Sequence, residues 1–252
     1  MYYQGGKTRH AKQIAAVIAE HRGTRARYVE PFIGGGSVFT AVAPSFDEAV
    51  AGDSALDLAL MWQAVADGWL PPDTVTEDEY RAMRHADPSP LRAFVGFGCS
   101  FGGRWFQGYA RSSGRNYPAE CHRRIRHMAP AFRGRSVHCR DYRYWRVDAN
   151  TVVYCDPPYA DTTPYAGSPR FNSDEFWWVA ERWARSGALV LVSEYTAPTG
   201  WRSVWSKARR VTMRVDDNSS IATEHLWMLG DPDDRLVRAE PAMSRPSFPA
   251  SV

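Results

Sequence analysis

The sequence predicts an α/β protein with a mostly parallel, doubly wound sheet and an antiparallel final strand. Strand and helix patterns alternate over residues 26–67, and the alternation resumes over residues 136–193. Alternation of this kind is typical of parallel sheets whose strands are connected by helices. Two further strand patterns, 209–215 and 224–229, have no helix between them. They therefore predict the antiparallel pair that ends the sheet.

The first part of the chain predicts two strands and three helices. Apolar residues recur at helical spacing over 8–22, where Thr8 is the expected N-cap. The elements expected after this helix are, in order, a strand at 26–30, a helix at 37–42, a strand at 48–52 and a helix at 55–67.

The last part of the chain returns to the same pattern. The β-branched and apolar run Thr151–Cys155 is typical of a central strand. Ser173 as N-cap and Gly187 as terminator frame a helix over 173–186. The remaining strands are expected at 136–139 and 188–193, and the polar, proline-rich residues 231–252 are expected to be a disordered tail.

Residues 70–135 interrupt the alternation, and we interpret them as an inserted region that is partly helical and partly loop. Positive charge is concentrated here: residues 81–150 hold fourteen Arg and four acidic residues, or 14 − 4 = +10, in a chain of net charge +3. A basic segment on a scaffold of opposite charge indicates contact with phosphate groups. The arginines expected to make these phosphate contacts are Arg104, Arg111, Arg115, Arg123, Arg124 and Arg126.

Composition excludes several other classes of protein. The four cysteines show no C-x-x-C spacing, so neither a zinc knuckle nor a disulfide scaffold is expected. His122, His127, His138 and Cys121 do not form a metal-binding pattern, and we predict no metal. No apolar run approaches the roughly 20 residues that span a bilayer, and no leader segment is seen, so we expect a soluble, cytoplasmic monomer without membrane contact.

A glycine-rich turn follows the first predicted strand. Residues 31–37 read Pro-Phe-Ile-Gly-Gly-Gly-Ser, and glycines let a backbone approach a ligand closely at the start of a helix. Asp53 ends the next strand, where a carboxylate can accept hydrogen bonds from both hydroxyls of a ribose. The pattern lacks the third glycine of G-x-G-x-x-G. It therefore favours a nucleoside-containing cofactor over a dinucleotide, with a plain tight turn as the alternative.

The tetrapeptide Asp156-Pro157-Pro158-Tyr159 directly follows the apolar strand that ends at Cys155. Two prolines make the turn rigid and hold a carboxylate, a carbonyl and an aromatic ring close together. Asp156 and the carbonyl of Pro157 can both accept hydrogen bonds from one amino group, and Tyr159 can stack on the base that bears it. The alternative is a rigid turn without chemistry.

A second turn, Gly5-Gly6-Lys7, lies close to the amino terminus. Lys7 could balance the carboxylate end of a cofactor, and Tyr3 could lie against a purine or a methionine chain. Taken alone, these residues are equally compatible with a surface turn.

Together, these motifs resemble the Dam-type family of DNA adenine methyltransferases, over nearly all of the chain from Tyr3 to about Gly230. The resemblance implies a Rossmann-like methyltransferase fold in which residues 1–69 and 136–230 form the catalytic domain and 70–135 the inserted target-recognition region. It implies S-adenosylmethionine as the cofactor and double-stranded DNA as the partner. The cofactor-binding residues that it implies are Tyr3, Gly6, Lys7, Glu30, Pro31, Phe32, Gly34, Gly36, Ser37, Asp53 and Asp156. Looser matches are Phe171 with 173–176, the strand at 188–193, and residues 224–227.

The activity that the resemblance implies is methyl transfer to the exocyclic amino group of adenine, with Asp156, Pro157 and Tyr159 as the catalytic residues. The target base must leave the duplex, at a cost of a few kcal/mol. Methylation of RNA or of a protein amide, and a DNA-binding relative without activity, are the alternatives. A nicotinamide-dependent oxidoreductase is disfavoured because its third loop glycine is missing.

Overall fold

The computed structural model describes residues 1, 3–158, 171–211 and 220–230. The strands are β1 (Arg27–Glu30), β2 (Glu48–Asp53), β3 (Ser136–Cys139), β4 (Thr151–Cys155), β5 (Leu189–Glu194), β6 (Arg202–Val211) and β7 (Ser220–Leu229). They form one seven-stranded sheet in the order β3-β2-β1-β4-β5-β7-β6, in which β7 is antiparallel to both of its neighbours. The predicted fold class, a Rossmann-like, mostly parallel sheet with an antiparallel end, is confirmed.

The helices are α1 (Ala11–His21), α2 (Ser37–Val42), α3 (Leu56–Ala66), α4 (Glu77–Met83), α5 (Pro90–Ala93), α6 (Tyr117–Phe132) and α7 (Ser173–Arg185). Short 3₁₀ turns occur at Ala43–Ser45, Phe101–Gly103 and Tyr142–Tyr144, and a π-helical turn at Phe94–Gly98.

The chain divides into two compact units. The first comprises Met1–Ala15 and Arg27–Trp145; the second comprises Ala16–Ala26 and the described residues from Arg146 onward. The predicted boundaries at 69/70 and 135/136 remain a proposal.

In the first unit, β1, β2 and β3 are parallel neighbours, with Val29 beside Val50 and Ala51 beside Val137. Helices cover this part of the sheet through an aromatic core. The rings of Trp62 and Phe132 stack with their centroids 4.4 Å apart, so α3 and α6 meet directly. Because both rings are fully buried, they fix the helices around the turn that follows β1.

The second unit contains the two strands that are buried along their whole length. Every residue of β4 and of β5 is buried, as expected for strands that are covered on both faces. The strands are parallel, with Cys155 beside Val192, and β5 pairs with β7 in the antiparallel direction. This arrangement places the chain after β4 at the carboxyl edge of a rigid pair of strands.

The structure corrects two predicted caps. The first helix begins at Ala11, and the Thr8 hydroxyl lies 3.0 Å from the Ser37 hydroxyl instead of capping a helix. Asn172, not Ser173, caps α7: its side-chain oxygen accepts a hydrogen bond from the Glu175 N–H at 3.1 Å. Asn172 reaches the free N–H groups from one residue further out, where the backbone is still extended.

The inserted region is partly helical and partly irregular, as predicted, with α4, α5 and α6 between residues 70 and 135. A capping box in which the Thr76 and Glu79 side chains bond each other's backbone N–H starts α4. Asn116 caps the 16-residue α6. The β6 strand also begins earlier than predicted, at Arg202, while residues 212–215 and the predicted tail at 231–252 lie outside the described residues.

Candidate active site

The glycine turn between β1 and α2 has a backbone that only glycine adopts easily. Gly34 and Gly36 have φ angles of +44° and +71°, in the left-handed region. The Ile33 N–H donates to the Gly52 carbonyl at 2.9 Å, so the turn remains attached to β2. The turn therefore presents its backbone at the carboxyl edge of β1, as the sequence predicts.

Close packing of aromatic rings is the second reason for these glycines. A Cβ atom at Gly34 would lie 2.9 Å from the Tyr3 ring, and one at Gly36 would lie 2.8 Å from the Trp62 ring. Trp62 also donates its indole N–H to the Gly34 carbonyl at 2.9 Å. Trp62 is a site residue that the sequence analysis missed; as one aromatic residue within an apolar helix, it gave no separate signal.

Asp53 joins the glycine turn to the end of β2. Its two carboxylate oxygens accept the Gly34 N–H at 3.1 Å and the Ala55 N–H at 3.0 Å. Burial raises the pKa of Asp53 to about 6, and hydrogen bonds from the N–H groups of Ala55, Gly34 and Ser54 oppose this rise. A carboxylate has about four acceptor positions, so this half-buried side chain keeps capacity for a ligand.

The amino-terminal motif lies against the glycine turn. The Tyr3 ring contacts Gly34 on one side, and on the other its centroid lies 5.1 Å from that of Phe97 in the π-helical turn. The Tyr3 carbonyl accepts the exposed Gly6 N–H at 3.1 Å. Lys7 is buried, and its carbonyl accepts the N–H of Ala11 at 2.8 Å, which starts α1. The structure thus brings Tyr3, Gly6 and Lys7 into the same unit as the turn and Asp53.

Glu30 and Pro31 are buried where β1 ends. The Tyr28 hydroxyl donates to Glu30 at 2.6 Å, a hydrogen bond between residues on the same face of the strand. Phe32 is half-buried and stacks on Tyr142, with ring centroids 5.4 Å apart. Tyr142 follows β3, and shortly before it the Arg140 N–H donates to the Asp53 carbonyl at 3.0 Å. No spacing rule connects Tyr142 to the glycine turn, so the sequence did not mark it as a candidate site residue.

In the second unit, Asp156 and Pro157 leave the carboxyl end of β4. Asp156 is half-buried, Pro157 is buried and Pro158 is exposed. The four residues that precede this turn, from Val152 to Cys155, are fully buried and therefore anchor it. The predicted stacking residue Tyr159 lies outside the described residues, so its role stays a prediction.

The six predicted DNA-binding arginines are all exposed, but they differ in their partners. Arg111 forms an ion pair with Glu77, and Arg115 pairs with Glu120 at 2.6 Å. Along α6, Arg123 and Arg126 line a shallow surface depression with His127 and Pro130. Neither of these two arginines has an ion-pair partner among the described residues. Their positive charge is therefore not neutralised by an ion pair within the described residues.

A hairpin over residues 100–109, also within the inserted region, presents an aromatic ring to solvent. Ser100 and Tyr109 form an antiparallel bridge, and the Phe101 N–H donates to the Gly108 carbonyl at 2.9 Å. The buried Tyr80 hydroxyl bonds both ends, at 2.7 Å to the Ser100 hydroxyl and 3.1 Å to the Gly108 N–H. Phe101 is nevertheless 68% exposed, which is unusual for an aromatic residue on a well-anchored turn.

The base of the hairpin is strained. Phe106 has a φ angle of +46°, a left-handed conformation that bulky residues rarely adopt. Its N–H donates to the Gly96 carbonyl at 2.9 Å and its carbonyl accepts from Arg84, so the contacts around it maintain this backbone. Backbone strain that the surroundings impose is common at binding sites. No pattern in the sequence marks Phe101 or Phe106 as a candidate site residue.

No cluster of metal-binding side chains occurs in the described parts of the chain, 1, 3–158, 171–211 and 220–230. Within the same ranges, no helix has the length and hydrophobicity that a bilayer crossing requires.

The doubly wound sheet, with the glycine turn after β1 and a carboxylate at the end of β2, defines a Rossmann-like fold. In a comparison with protein families, residues 3–88 match the D12 class N6 adenine-specific DNA methyltransferases. This match includes the turn at Lys7, the glycine turn and Asp53. It confirms the predicted resemblance over this range and supports methyltransferase activity. A search of curated proteins found no match.

Solved structures similar to the chain include three proteins at low identity. A Pyrococcus horikoshii protein assigned as an RNA methyltransferase is 10% identical, with a TM-score of 0.41 and coverage of 88% of this chain and 82% of that one. An S-adenosylmethionine-dependent methyltransferase from Clostridium acetobutylicum is 11% identical, with a TM-score of 0.35 and coverage of 92% and 79%. Streptomyces venezuelae DesVI is 11% identical, with a TM-score of 0.32 and coverage of 90% and 79%.

Proposed function

We propose that this chain transfers a methyl group from S-adenosylmethionine to the exocyclic amino group of adenine in double-stranded DNA. In this proposal the first unit binds the cofactor and contributes the DNA-binding surface of the insert, residues 70–135. The second unit supplies the acceptor groups at Asp156 and Pro157. The observation that carries the proposal is the half-buried Asp156 on a proline-stiffened turn after a fully buried strand, in a chain that matches adenine methyltransferases over residues 3–88.

The chemistry at Asp156 is positional and electrostatic. The lone pair of an adenine amino group is delocalised into the ring, which makes the nitrogen a poor nucleophile. Asp156 and the Pro157 carbonyl accept both amino hydrogens, which favours a pyramidal nitrogen with its lone pair directed outward. Because the prolines fix both acceptors before the base arrives, little reorganisation is needed during reaction. Asp156 then takes up the proton that the amino group releases.

The residues around the glycine turn fit the proposed cofactor, which supplies an activated methyl group when bound. Asp53 has acceptor capacity for ribose hydroxyls, and the left-handed glycines leave the turn without side chains. The buried Lys7 is of the right charge for a carboxylate, and Tyr3 supplies an aromatic surface beside Gly34. The remaining predicted residues flank these groups in the chain. They are Gly6 in the amino-terminal turn, and Glu30, Pro31, Phe32 and Ser37 around the glycine turn.

The pKa of Asp53 makes a prediction about cofactor affinity. Protonation would remove the acceptor that the ribose hydroxyls need, so the Kd for S-adenosylhomocysteine should rise about tenfold per pH unit below about pH 6. Calorimetric titration between pH 5 and pH 8 measures this change. Asp53→Asn should show weaker binding with a flat pH profile; an unchanged slope in this variant would remove Asp53 from the site.

The same pKa has the opposite effect on folding. Because the pKa of Asp53 is raised in the folded protein, from 3.8 to about 6, the folded state holds the proton more tightly than the unfolded chain does. The stabilisation from this group is complete below about pH 4 and is lost as the pH rises through about 6. Binding and stability should therefore vary in opposite directions in this pH range.

The insert supplies contacts with the DNA backbone. Arg123 and Arg126 have no ion-pair partner among the described residues and lie on the exposed face of α6. Arg104 and Arg124 are also exposed, whereas Arg111 and Arg115 would exchange protein partners for phosphate. The exposed Phe101 offers apolar surface to bases that become unstacked, a contact worth about 1–3 kcal/mol per base in single-strand binders.

The arginines and Phe101 should respond differently to salt. Each phosphate contact contributes about 0.9 to the slope of log affinity against log salt, so the double variant Arg123→Gln/Arg126→Gln should lower its magnitude by about 1.8. Phe101→Ala should weaken binding without changing the slope, since it removes no charge. Fluorescence anisotropy with a DNA duplex at several salt concentrations measures both. An unchanged slope in the double variant would place the DNA path elsewhere.

Methylation of unmodified genomic DNA with S-adenosylmethionine, followed by single-molecule sequencing, tests the function directly. We expect modified adenines at one short sequence. Parallel reactions with total RNA and with protein, using a radioactive methyl group, complete the experiment. Incorporation into RNA or protein, with no methylated adenine in DNA, would contradict the proposed substrate.

A further inference from the structure

We propose that Tyr154 and Ser193 form a positioning pair that orients the Asp156 carboxylate by hydrogen bonding. This inference rests on the proposed function, because it assigns Asp156 a catalytic role. All three residues belong to the second unit.

The two hydroxyl groups form a buried hydrogen bond. The Tyr154 and Ser193 oxygens lie 2.9 Å apart, and either can be the donor. Tyr154 is completely buried and Ser193 is 2% exposed, in a region where the other side chains of β4 and β5 are mostly aliphatic. Polar groups are costly in such surroundings unless all their hydrogen bonds are made, so this pair has a specific reason to be there.

The strand register places this pair directly beside Asp156. Tyr154 pairs with Leu191 and Cys155 with Val192, so continuing the parallel register sets Asp156 beside Ser193. Side chains alternate along a strand, and therefore Tyr154, Asp156 and Ser193 all lie on the same face of the sheet. Asp156 therefore follows β4 at the level in the sheet at which Ser193 lies in β5.

The hydroxyl pair has more donor protons than its internal hydrogen bond uses. Two hydroxyls carry two donor protons, and the bond between them uses one. The pair therefore has a second proton that it can donate, and a carboxylate is a strong acceptor for such a proton. Among the described residues of β5 and β7, Glu224 is the one carboxyl group on this face, and it is displaced diagonally because Leu226 pairs with Ser193. Asp156 is level with Ser193 when the register of β4 and β5 is continued. Glu194 and His225 lie on the opposite face, where they pair with each other.

A hydroxyl that donates to Asp156 would have two effects on catalysis. It would hold the carboxylate in one orientation, so that its other oxygen faces the adenine amino group. It would also stabilise the charged form and keep the pKa of Asp156 low, which keeps the acceptor ionised during the reaction. A hydroxyl present only for packing would have neither effect.

The test compares Ser193→Ala with Ser193→Thr, which keeps a hydroxyl, and with Tyr154→Phe. Titration of the Asp156 carboxyl carbon by ¹³C NMR, assigned with Asp156→Asn, needs no substrate. We expect Ser193→Ala and Tyr154→Phe to raise the pKa of Asp156 by about 1, and Ser193→Thr to leave it unchanged. Glu224→Gln is the matched control on the same face and should not move this titration beyond the small effect of removing a distant charge.

Kinetics supply the second readout. Ser193→Ala should lower kcat about tenfold and shift the acidic limb of its pH profile upward, with KM for DNA and for S-adenosylmethionine within about twofold. The inference would be overturned if the pKa of Asp156 is unchanged in Ser193→Ala, or if kcat falls equally in Ser193→Thr. Because the titration is independent of activity, a protein that methylates no adenine would disprove the proposed function without deciding whether the hydroxyl pair bonds Asp156.

Discussion

Asp156→Asn is expected to reduce the turnover number about a thousandfold or more, while affinity for S-adenosylhomocysteine stays within about tenfold of the wild type. The amide keeps the size of the carboxyl group but has no negative charge and offers one acceptor oxygen in place of two. Asp156→Ala should be at least as impaired. The large loss is expected because, in the proposed function, the carboxylate acts on the acceptor base and belongs to the unit that does not contain the glycine turn.

Filter binding of tritiated methyl groups on DNA measures the turnover, and calorimetry measures the cofactor affinity. Asp174→Asn is the matched control, since Asp174 is an exposed acid in the first turn of α7 of the same unit. It should keep turnover within about twofold. Turnover by Asp156→Asn close to that of the wild type would exclude the proposed role of the carboxylate.

The strands and the turns that follow them were predictable because their signals are local. The central strand Thr151–Cys155 and the edge strand Ser136–Cys139 have the bounds that the sequence predicts. An apolar, β-branched run that is followed by an acidic residue or a proline is compatible with few structures other than a strand. Asp53 and Asp156 were placed correctly at strand ends for the same reason, although their roles stay predictions.

The helix α6 was difficult to predict because the residues on its surface interrupt the apolar spacing. Its buried residues Cys121, Ile125, Met128 and Phe132 have helical spacing, but arginines, histidines and Pro130 separate them. Pro130 in particular argues against a helix when the sequence is read alone. The partners of Gly36 were equally hidden, because Trp62 and Phe132 come from helices that lie 26 and 96 residues further along the chain. Only tertiary packing brings them together.

Caps and strained positions show a second limit of the sequence. Ser173 and Asn172 are both good caps, and the choice between them depends on where the preceding residues leave the backbone. Nothing in the sequence marks Phe106 as a residue with positive φ, since the strain is imposed by contacts with Gly96 and Arg84. Features of this kind depend on what surrounds a residue in three dimensions, which spacing rules do not contain.

Gly36→Ala is expected to lower the free energy of unfolding by about 3 kcal/mol and to abolish measurable cofactor binding. A left-handed φ of +71° costs an ordinary residue roughly 1–2 kcal/mol. The added Cβ would also lie 2.8 Å from the Trp62 ring and 3.1 Å from the Phe132 ring, and overpacking of this kind costs roughly 1–3 kcal/mol more. Trp62 is held through its hydrogen bond to Gly34, so displacing its ring also displaces the turn.

Gly134→Ala separates these two costs. Gly134 has the same φ of +71°, but a Cβ there would meet nothing within 4 Å, so only the backbone term applies and we expect a loss of about 1 kcal/mol. Urea unfolding of the two variants gives the difference, and calorimetry with S-adenosylhomocysteine reports on the turn. Equal destabilisation of the two variants, with cofactor affinity intact in Gly36→Ala, would mean that the aromatic rings can shift at little cost in free energy. The close packing of Trp62 would then have no part in shaping the glycine turn.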